Sequence, residues 1–308
     1  MDRWQEIGLR AIGKEINYTY LSKEIPNFIS SELTNITKIQ NEFYNEILFP
    51  NYDDFDDFGS LLKKGSNSTF TAKLDYEIPF GSKVLELGCG TGQLSLFLSR
   101  FNRTIYGADI SEGSLLLGEK FRKDHNRNNV FFCKADVFDL PFKKNYFNVI
   151  ISNGVLHHTK DAKLAFNKLI EFLKPGGYII IGLYHYYGRL LTKLKQSIFP
   201  MLGKKAKYFD STLRNRMNRE RSFAWERDQF YNPHETTHTL REALKWLEHS
   251  GLQYVNSIPF SFDETQGLFS IKDLPRRKEL FIREAMLAFD LQQMKEGGFF
   301  IFVAKKAT

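Results

Sequence analysis

The chain of 308 residues is long enough for one large domain or two, and its 42% hydrophobic content is typical of a globular protein. No run of about 18 apolar residues occurs, and the polar N-terminus lacks the apolar core of a signal peptide, so we expect neither a membrane span nor a secretory leader. A net charge of +7 is compatible with an anionic partner. The two cysteines, Cys89 and Cys133, do not have metal-binding spacing, and so few cysteines predict a reducing, cytoplasmic location.

The N-terminal quarter of the chain differs from the rest in charge and in pattern. Residues 1–60 contain 11 acidic and 5 basic residues, a net charge of −6, so the remainder of the chain carries +13. Residues 1–80 show helical stretches and no strand pattern. We therefore predict an N-terminal helical cap over 1–80, followed by a second unit over 81–308.

From residue 83 onward, short apolar strands alternate with amphipathic helices. This alternation predicts a parallel sheet with helices on both faces. Two segments, near 185–235 and 261–297, interrupt the pattern and are predicted to be insertions after the fifth and sixth strands. The seven predicted strands are, in chain order, KVLEL, TIYGAD, NVFFCKAD, FNVIIS, YIIIGLY, LQYVNSIPF and FFIFVAKK.

A glycine-rich loop, ELGCGTGQL, connects the first of these strands to a helix. Gly88, Gly90 and Gly92 allow the backbone to turn sharply and a ligand to approach closely. The spacing G-x-G-x-G departs from the dinucleotide pattern G-x-G-x-x-G, since the last position is Gln93. The loop alone is a weak indication of a cofactor site, so its surroundings decide the interpretation.

Two acidic residues end the strands that follow. Asp109 closes TIYGAD and Asp136 closes the third strand. A carboxylate at the first position can accept both hydroxyls of a ribose, and one at the second can receive an adenine amino group. Each could instead cap the next helix. A glycine loop and two acids at the carboxyl ends of successive strands favour a ligand at that edge of the sheet.

These segments, together with NVIISNGVLHHT and LKPGGYIIIGLY, resemble the class I S-adenosylmethionine-dependent methyltransferases. The resemblance covers about residues 83–184 closely and extends loosely to the C-terminus. It implies a Rossmann-like, seven-stranded, mostly parallel α/β sheet in the order 3-2-1-4-5-7-6, with strand 7 antiparallel. It also implies S-adenosylmethionine as the cofactor.

The resemblance further implies roles for individual residues in holding that cofactor. Glu86 and the loop residues Gly88, Cys89, Gly90 and Gly92 are expected to bind the methionine part. Asp109 is expected to bind the ribose hydroxyls, and Ile110 to lie against the adenine ring. Asp136 and Val137 are expected to contact the adenine amino group and N1, and Asn153 to lie near the amine and the sulfonium.

The stretch NGVLHHT follows the fourth strand, beside the predicted cofactor loop. Adjacent histidines rarely reach one metal ion, and no third ligand has a familiar spacing, so we predict no metal. His157 is hypothesised to orient or deprotonate the methyl acceptor, because an imidazole can take a proton near neutral pH. His158 is interpreted as a packing residue that fixes the loop, and Thr159 as the N-cap of the next helix.

Aromatic and polar residues past the fifth strand predict a lid over the acceptor. An aromatic cluster that fastens the first insertion is the alternative. The residues predicted to bind the acceptor are Tyr184, His185, Tyr187, Trp225, Tyr231, His234 and His238.

The segment after the fourth strand narrows the class of methyl acceptor, because it lacks the signatures of nucleobase methyltransferases. SNGVLHH has no Pro-Pro-aromatic sequence of the kind that amino-methyltransferases of nucleobases carry, and neither cysteine is placed as a cytosine nucleophile. We therefore expect a small-molecule acceptor. Two alternatives stay open: an RNA- or lipid-directed enzyme that uses segment 193–221, which has nine Lys or Arg against two acids, or a non-catalytic cofactor-binding partner subunit.

Overall fold

The computed structural model describes residues 4, 8–13, 18–21, 24–29, 32–48, 52, 57–202, 226–258, 267–270, 273–289 and 298–308. The helices are α1 (Asn35–Glu46), α2 (Phe58–Ser66), α3 (Thr69–Glu77), α4 (Gln93–Leu98), α5 (Glu112–Asp124), α6 (Ala162–Phe172), α7 (Leu190–Leu202), α8 (Leu240–His249) and α9 (Arg277–Ala288). The strands are β1 (Thr19–Leu21), β2 (Ile25–Asn27), β3 (Lys83–Leu87), β4 (Thr104–Asp109), β5 (Val130–Lys134), β6 (Phe147–Asn153), β7 (Leu173–Tyr184), β8 (Leu252–Ile258) and β9 (Phe299–Lys306).

All nine strands form one sheet in the order β1-β2-β5-β4-β3-β6-β7-β9-β8. Counted from β3, the last seven strands follow the order 3-2-1-4-5-7-6, and β9 is antiparallel to both of its neighbours, β7 and β8. The predicted α/β fold and its strand order are therefore confirmed. The winding reverses between β3 and β6, and in open α/β sheets the crevice at such a reversal is where ligands bind.

The strand count and the description of the N-terminal segment need correction. β1 and β2 pair antiparallel, and β2 joins β5 through Asn27 and Lys134, so the sheet that the described residues form has nine strands and not seven. Each of these strands has three residues, too few to show an alternating pattern. The first 80 residues thus contribute strands as well as helices, and the predicted boundary at 80/81 stays a prediction.

The hydrophobic core lies on both faces of the sheet and is rich in aromatic rings. Trp4 is buried against Phe131 at 5.5 Å between ring centroids, and its indole N–H donates to the carbonyl of Phe132 at 3.1 Å. Tyr106 lies between Phe131 and Phe147 in the same cluster. Because a buried indole N–H needs a partner, the bond to the sheet backbone fixes the position of Trp4.

An arginine holds the N-terminal helices against the loop before β4. The buried side chain of Arg103 donates to a carboxylate oxygen of Asp75 at 2.8 Å and to the carbonyl of Ile78 at 2.6 Å. Asp75 belongs to α3, which lies beside the glycine loop. Since breaking a buried ion pair costs far more than breaking an exposed one, this contact holds the end of α3 against the start of β4.

The helix after NGVLHHT begins two residues later than predicted. Asp161 is the N-cap of α6, and its carboxylate accepts from the backbone amide of Leu164 at 2.9 Å. Thr159 instead ends a short 3-10 turn over Leu156–His158, where its hydroxyl donates to the carbonyl of Leu156 at 2.7 Å. The prediction of Thr159 as N-cap is wrong, because its hydroxyl closes the preceding turn.

Within the part of the chain that the structure describes, no helix has the length and apolarity that crossing a bilayer requires.

Replacing Gly92 with alanine is expected to lower the free energy of unfolding by about 2–4 kcal/mol, the combined cost of left-handed strain and overpacking. Gly92 has a φ of +78°, and an added Cβ would lie 2.2 Å from Cζ of Phe132, a fully buried ring. Gly81→Ala is the matched control: its φ is +70° and nothing lies within 4 Å, so only the strain, about 1 kcal/mol, applies. Equal losses in urea unfolding would contradict the expectation.

Candidate active site

A cavity of about 440 Å³ opens at the carboxyl ends of β3, β4, β5 and β6. Its floor is the sheet edge with the loops that follow these strands. The N-terminal helices contribute to its walls, together with Asp228, within helical residues 226–231, and Phe299 of β9. The volume lies within the range of pockets that hold cofactors and drug-sized ligands, so the cavity is the first candidate for a binding site.

The glycine loop reaches the cavity with its backbone. Gly88 and Gly90 have φ values of +70° and +53°, a conformation that favours glycine. An added Cβ on Gly88 would lie 2.2 Å from Cγ2 of Val155, so the loops after β3 and β6 touch at this point. Gly92 lies outside the lining and serves as the left-handed N-cap residue of α4.

Two carboxylates face the cavity beside this loop. Asp109 accepts from the backbone amides of Gly90 at 2.7 Å and Ser111 at 2.8 Å. Burial raises the pKa of Asp109, and these amide bonds oppose the shift. Burial raises the pKa of Glu86 to about 8, against a hydrogen bond from the hydroxyl of Ser95. Before a ligand binds, the site therefore favours a protonated Glu86 at neutral pH.

Asp136 caps a turn and also lines the cavity. Its carboxylate accepts from the amide of Phe138 at 3.0 Å and so caps the short turn Val137–Asp139. The same residue lines the cavity, next to Val137 and across from Ile110 of the β4 loop. Capping uses one carboxylate oxygen, which leaves the other as an acceptor for a ligand.

The cavity therefore brings together most of the predicted cofactor residues. Nine of them line it: Glu86, Gly88, Cys89, Gly90, Asp109, Ile110, Asp136, Val137 and Asn153. A Cβ added to Gly182 would lie 2.2 Å from the amide oxygen of Asn153, so the Asn153 side chain lies over the neighbouring strand.

The residues predicted to bind the acceptor are mostly elsewhere. Tyr184 lines the cavity. His185 is fully buried and bridges to His238 beside the sheet, and Tyr187 is half exposed on the outside. Tyr231 packs on a separate cluster around Phe199 and Phe230. Trp225 lies outside the described residues.

His185, His234 and His238 instead make contacts that fasten the first insertion to the domain, which is the alternative that the sequence allowed. His234 shows this best: its ring bonds to the carbonyl of Thr159 at 3.1 Å, and its own carbonyl meets the ring of His158. The ring of His238 contacts Glu242 at 3.0 Å.

The placement of the two histidine side chains is the reverse of the predicted one. His157 is fully buried, packs on Tyr184 at 4.1 Å between centroids with the rings tilted by 40°, and does not line the cavity. Neither of its ring nitrogens has a hydrogen-bond partner among the described residues, and burial puts its pKa well below the ordinary value. His158 lines the cavity instead. The structure thus places His157 behind the wall and His158 in it.

The tautomer of His158 follows from its partner. Nδ1 lies 2.8 Å from the carbonyl oxygen of His234, which can only accept. Burial lowers the pKa of His158, opposed by the charge of Asp228 and by this bond, so the ring is neutral near neutral pH. Nδ1 therefore carries the proton and Nε2 is the acceptor nitrogen.

A polar network that the sequence analysis did not find supports this wall. Tyr44 of α1 donates to Asp228 at 2.7 Å and accepts from Asn232 at 3.0 Å. Gln229 donates to the hydroxyl of Tyr184 at 2.7 Å, and the guanidinium of Arg189 lies 3.7 Å from the centroid of the same ring.

This network explains which protonation states the wall has. Burial, and then the nearby Asp228 carboxylate, hold the pKa of Tyr44 well above its usual value, so Tyr44 remains a donor. Tyr44, Thr37 and Gln40 were missed, because they come from the N-terminal segment and carry no motif.

Among the described residues, no group of three or more His, Cys, Asp or Glu side chains could hold a metal ion. Lys193 and Lys195 of the basic segment lie on α7, and the part of that segment beyond residue 202 lies outside the described residues.

A family model described as a methyltransferase domain matches residues 80–249, which is more than half of the chain. A demethylmenaquinone methyltransferase of Lactococcus lactis is 26% identical over 179 residues, which cover 55% of this chain and 71% of that protein. A ubiquinone/menaquinone biosynthesis C-methyltransferase of Vibrio campbellii is 34% identical over 105 residues, 33% of this chain and 40% of that protein. The chain spans less than half the length of most curated relatives that it matches.

Solved structures show the same fold at lower identity. PKMT2 from Rickettsia typhi superposes with a TM-score of 0.55 and 17% identity, over 79% of this chain and 52% of that one. The same protein has been solved in complex with AdoHcy. At this identity the likeness concerns the fold alone.

Proposed function

From the premise that this chain belongs to the class I S-adenosylmethionine-dependent methyltransferases, we propose that it methylates a small ring-shaped acceptor that carries an ionisable hydroxyl. The observation that carries the proposal is one continuous cavity. Its first half has the glycine loop and Asp109, and its second half has His158, Tyr184 and Phe299. The matched relatives named as quinone methyltransferases support an acceptor of this class.

The first half of the cavity fits the cofactor by the chemistry of its donors and acceptors. We assign the ribose hydroxyls to Asp109, whose oxygens retain acceptor capacity beyond the two amide bonds. Glu86 and Asn153 are assigned to the methionine end, and Ile110, Asp136 and Val137 to the adenine. When bound, the cofactor supplies a methyl group on a positively charged sulfur.

The second half of the cavity is assigned to the acceptor. Tyr184 and Phe299 present aromatic rings that pack at 5.7 Å between centroids, and both line the cavity. These rings hold a planar acceptor in place, and holding the reacting atoms close and in line is the largest contribution that a protein makes to such a transfer.

His158 is assigned as the general base. Nε2 accepts the proton of the acceptor hydroxyl, so that the ring oxygen or a ring carbon beside it becomes electron-rich enough to take the methyl group as the methyl–sulfur bond breaks. After transfer to carbon, that carbon loses its own proton and the ring oxygen regains one, which restores the aromatic ring. The imidazolium that forms keeps its Nδ1 bond to the carbonyl of His234 and lies near the Asp228 carboxylate, which stabilises the new charge. His157, the residue first hypothesised for this role, is proposed to support the ring of Tyr184 from behind.

The test is methylation by the purified chain of the reduced form of a short-chain demethylmenaquinone, with a deuterated methyl donor. We expect the acceptor to gain one labelled methyl group by mass spectrometry. Transfer to RNA in place of the quinol would overturn the acceptor class. Tight cofactor binding without transfer to any hydroxylated ring would favour the non-catalytic partner subunit.

The cellular location belongs to the same proposal. Cys89 and Cys133 are both buried free thiols. Unpaired thiols are typical of a reducing compartment, so we assign the enzyme to the cytoplasm.

A further inference from the structure

Helix α7 presents a stripe of apolar side chains to solvent. Each member has another three or four residues away, so they share one face of the helix and of the turn before it. All are 42–86% exposed. The apolar stripe consists of Tyr187, Leu190, Leu191, Leu194, Ile198 and Met201.

The opposite face of α7 is already fastened to the domain. Arg189, at the start of the helix, donates to the amide oxygen of Gln229 at 2.7 Å and forms an ion pair with Glu235. Gln196 donates to the carbonyl of Gln229 at 3.0 Å, and Phe199 packs on Phe230 at 4.7 Å between centroids. Because these contacts fix the inner face, the stripe does not turn inward to complete the core.

The charge beside the stripe is positive. The helix contains no acidic residue, and Lys193 and Lys195 flank the stripe on either side. The sequence from 193 to 221 continues with the same sign, with nine Lys or Arg against two acids in total. An apolar face with basic flanks is the pattern of helices that lie in the interface of an anionic bilayer.

We propose that the apolar stripe docks the protein, with α7 flat, on the surface of an anionic lipid bilayer. At 13 residues the helix is roughly 20 Å long, the length of an interfacial element and not of a span. A second copy of the chain would bring two cationic helices together. A nucleic acid offers phosphates, which an apolar centre does not bind. An anionic bilayer offers acyl chains to the apolar stripe and negatively charged head groups to the lysines beside it.

The docking surface lies close to the cavity. Residues 226–231, which contact the inner face of α7, carry Asp228 of the cavity wall, and Gln229 of the same turn donates to Tyr184. A bilayer beneath α7 would therefore lie one helix away from the acceptor half of the cavity. The proposal does not rest on methyl transfer, since lipid binding is measured by itself.

The test is flotation of the full chain with vesicles of equal parts phosphatidylglycerol and phosphatidylcholine, compared with vesicles of phosphatidylcholine alone. We expect binding to the anionic vesicles that weakens as salt is raised, and at least tenfold weaker binding of the double variant Leu191→Glu, Leu194→Glu. Phe281→Glu replaces an exposed side chain of α9; it is the matched control and should bind like the wild type.

Several outcomes would overturn the docking proposal. One is a wild-type chain that does not float with the anionic vesicles, and another is a double variant that floats equally well. If the wild type forms a dimer and binds no vesicles, and the double variant is a monomer, the stripe is an interface with a second copy of the chain. Unchanged thermal unfolding of the double variant confirms that its fold is intact.

Discussion

Replacing Asp109 with alanine is expected to weaken the binding of S-adenosylmethionine at least tenfold. The carboxylate lies in the cavity at the end of β4, and charged hydrogen bonds contribute about 1.5–3 kcal/mol each, so losing even one exceeds the 1.4 kcal/mol of a tenfold change. The substitution also removes the acceptor for the amide of Gly90, which loosens the glycine loop. Titration calorimetry with the cofactor measures the change.

Two further variants separate the charge of Asp109 from its shape. Asp109→Asn keeps an oxygen acceptor of the same size without the charge, so its affinity should fall between those of the wild type and the alanine variant. Asp124→Ala, an exposed acid at the end of α5, controls for the loss of one negative charge. An alanine variant that binds the cofactor like the wild type would remove Asp109 from the site.

The half of the cavity that the sequence predicted is built from segments that carry their own signals. The glycine loop follows β3 directly, and Asp109 and Asp136 come at the ends of the next two strands. Topology alone brings these ends together, because parallel strands present their carboxyl ends at one edge. No knowledge of side-chain packing is needed, so a single sequence suffices for this half.

The other half depends on packing between distant segments. Tyr44 meets Asp228 across 184 residues, and Gln40 meets the carbonyl of His234 across 194. Nothing in the sequence around Tyr44 distinguishes it from a core aromatic residue. The strands β1 and β2 were not predicted for a related reason, because three residues are too few for a periodic pattern. The pairing of β2 with β5 and of β1 with β2 makes them strands.

The two histidines show the same limit at the scale of one residue. His157 and His158 are neighbours in a 3-10 turn, where successive side chains point about 120° apart. One of them must face the cavity and the other the core. The choice depends on the turn's orientation, which the bond from Thr159 to Leu156 and the contact between His158 and His234 determine. Position after β6 could therefore indicate the motif but not the residue.

Replacing His158 with asparagine is expected to lower kcat about 10²- to 10⁴-fold, the usual contribution of a general base. Asparagine can keep a donor close to the position of Nδ1, and so the bond to the carbonyl of His234, while it removes the accepting Nε2. Cofactor affinity should therefore change little, and the loss should appear in kcat. Turnover with a quinol acceptor, with calorimetry for the cofactor, measures both quantities.

The pH profile distinguishes a base from a residue that only shapes the cavity. Because burial lowers the pKa of His158, the neutral form persists below pH 6.5, and wild-type kcat should fall only as the pH drops below that value. This decrease in kcat at low pH, the acidic limb of the profile, should disappear in His158→Asn.

His157→Leu supplies the comparison. The His157 ring is buried without a hydrogen-bond partner among the described residues, so this change should act on stability more than on kcat. If His157→Leu abolishes the limb and His158→Asn retains it, the base is His157 after all, acting from a state in which Tyr184 has moved aside.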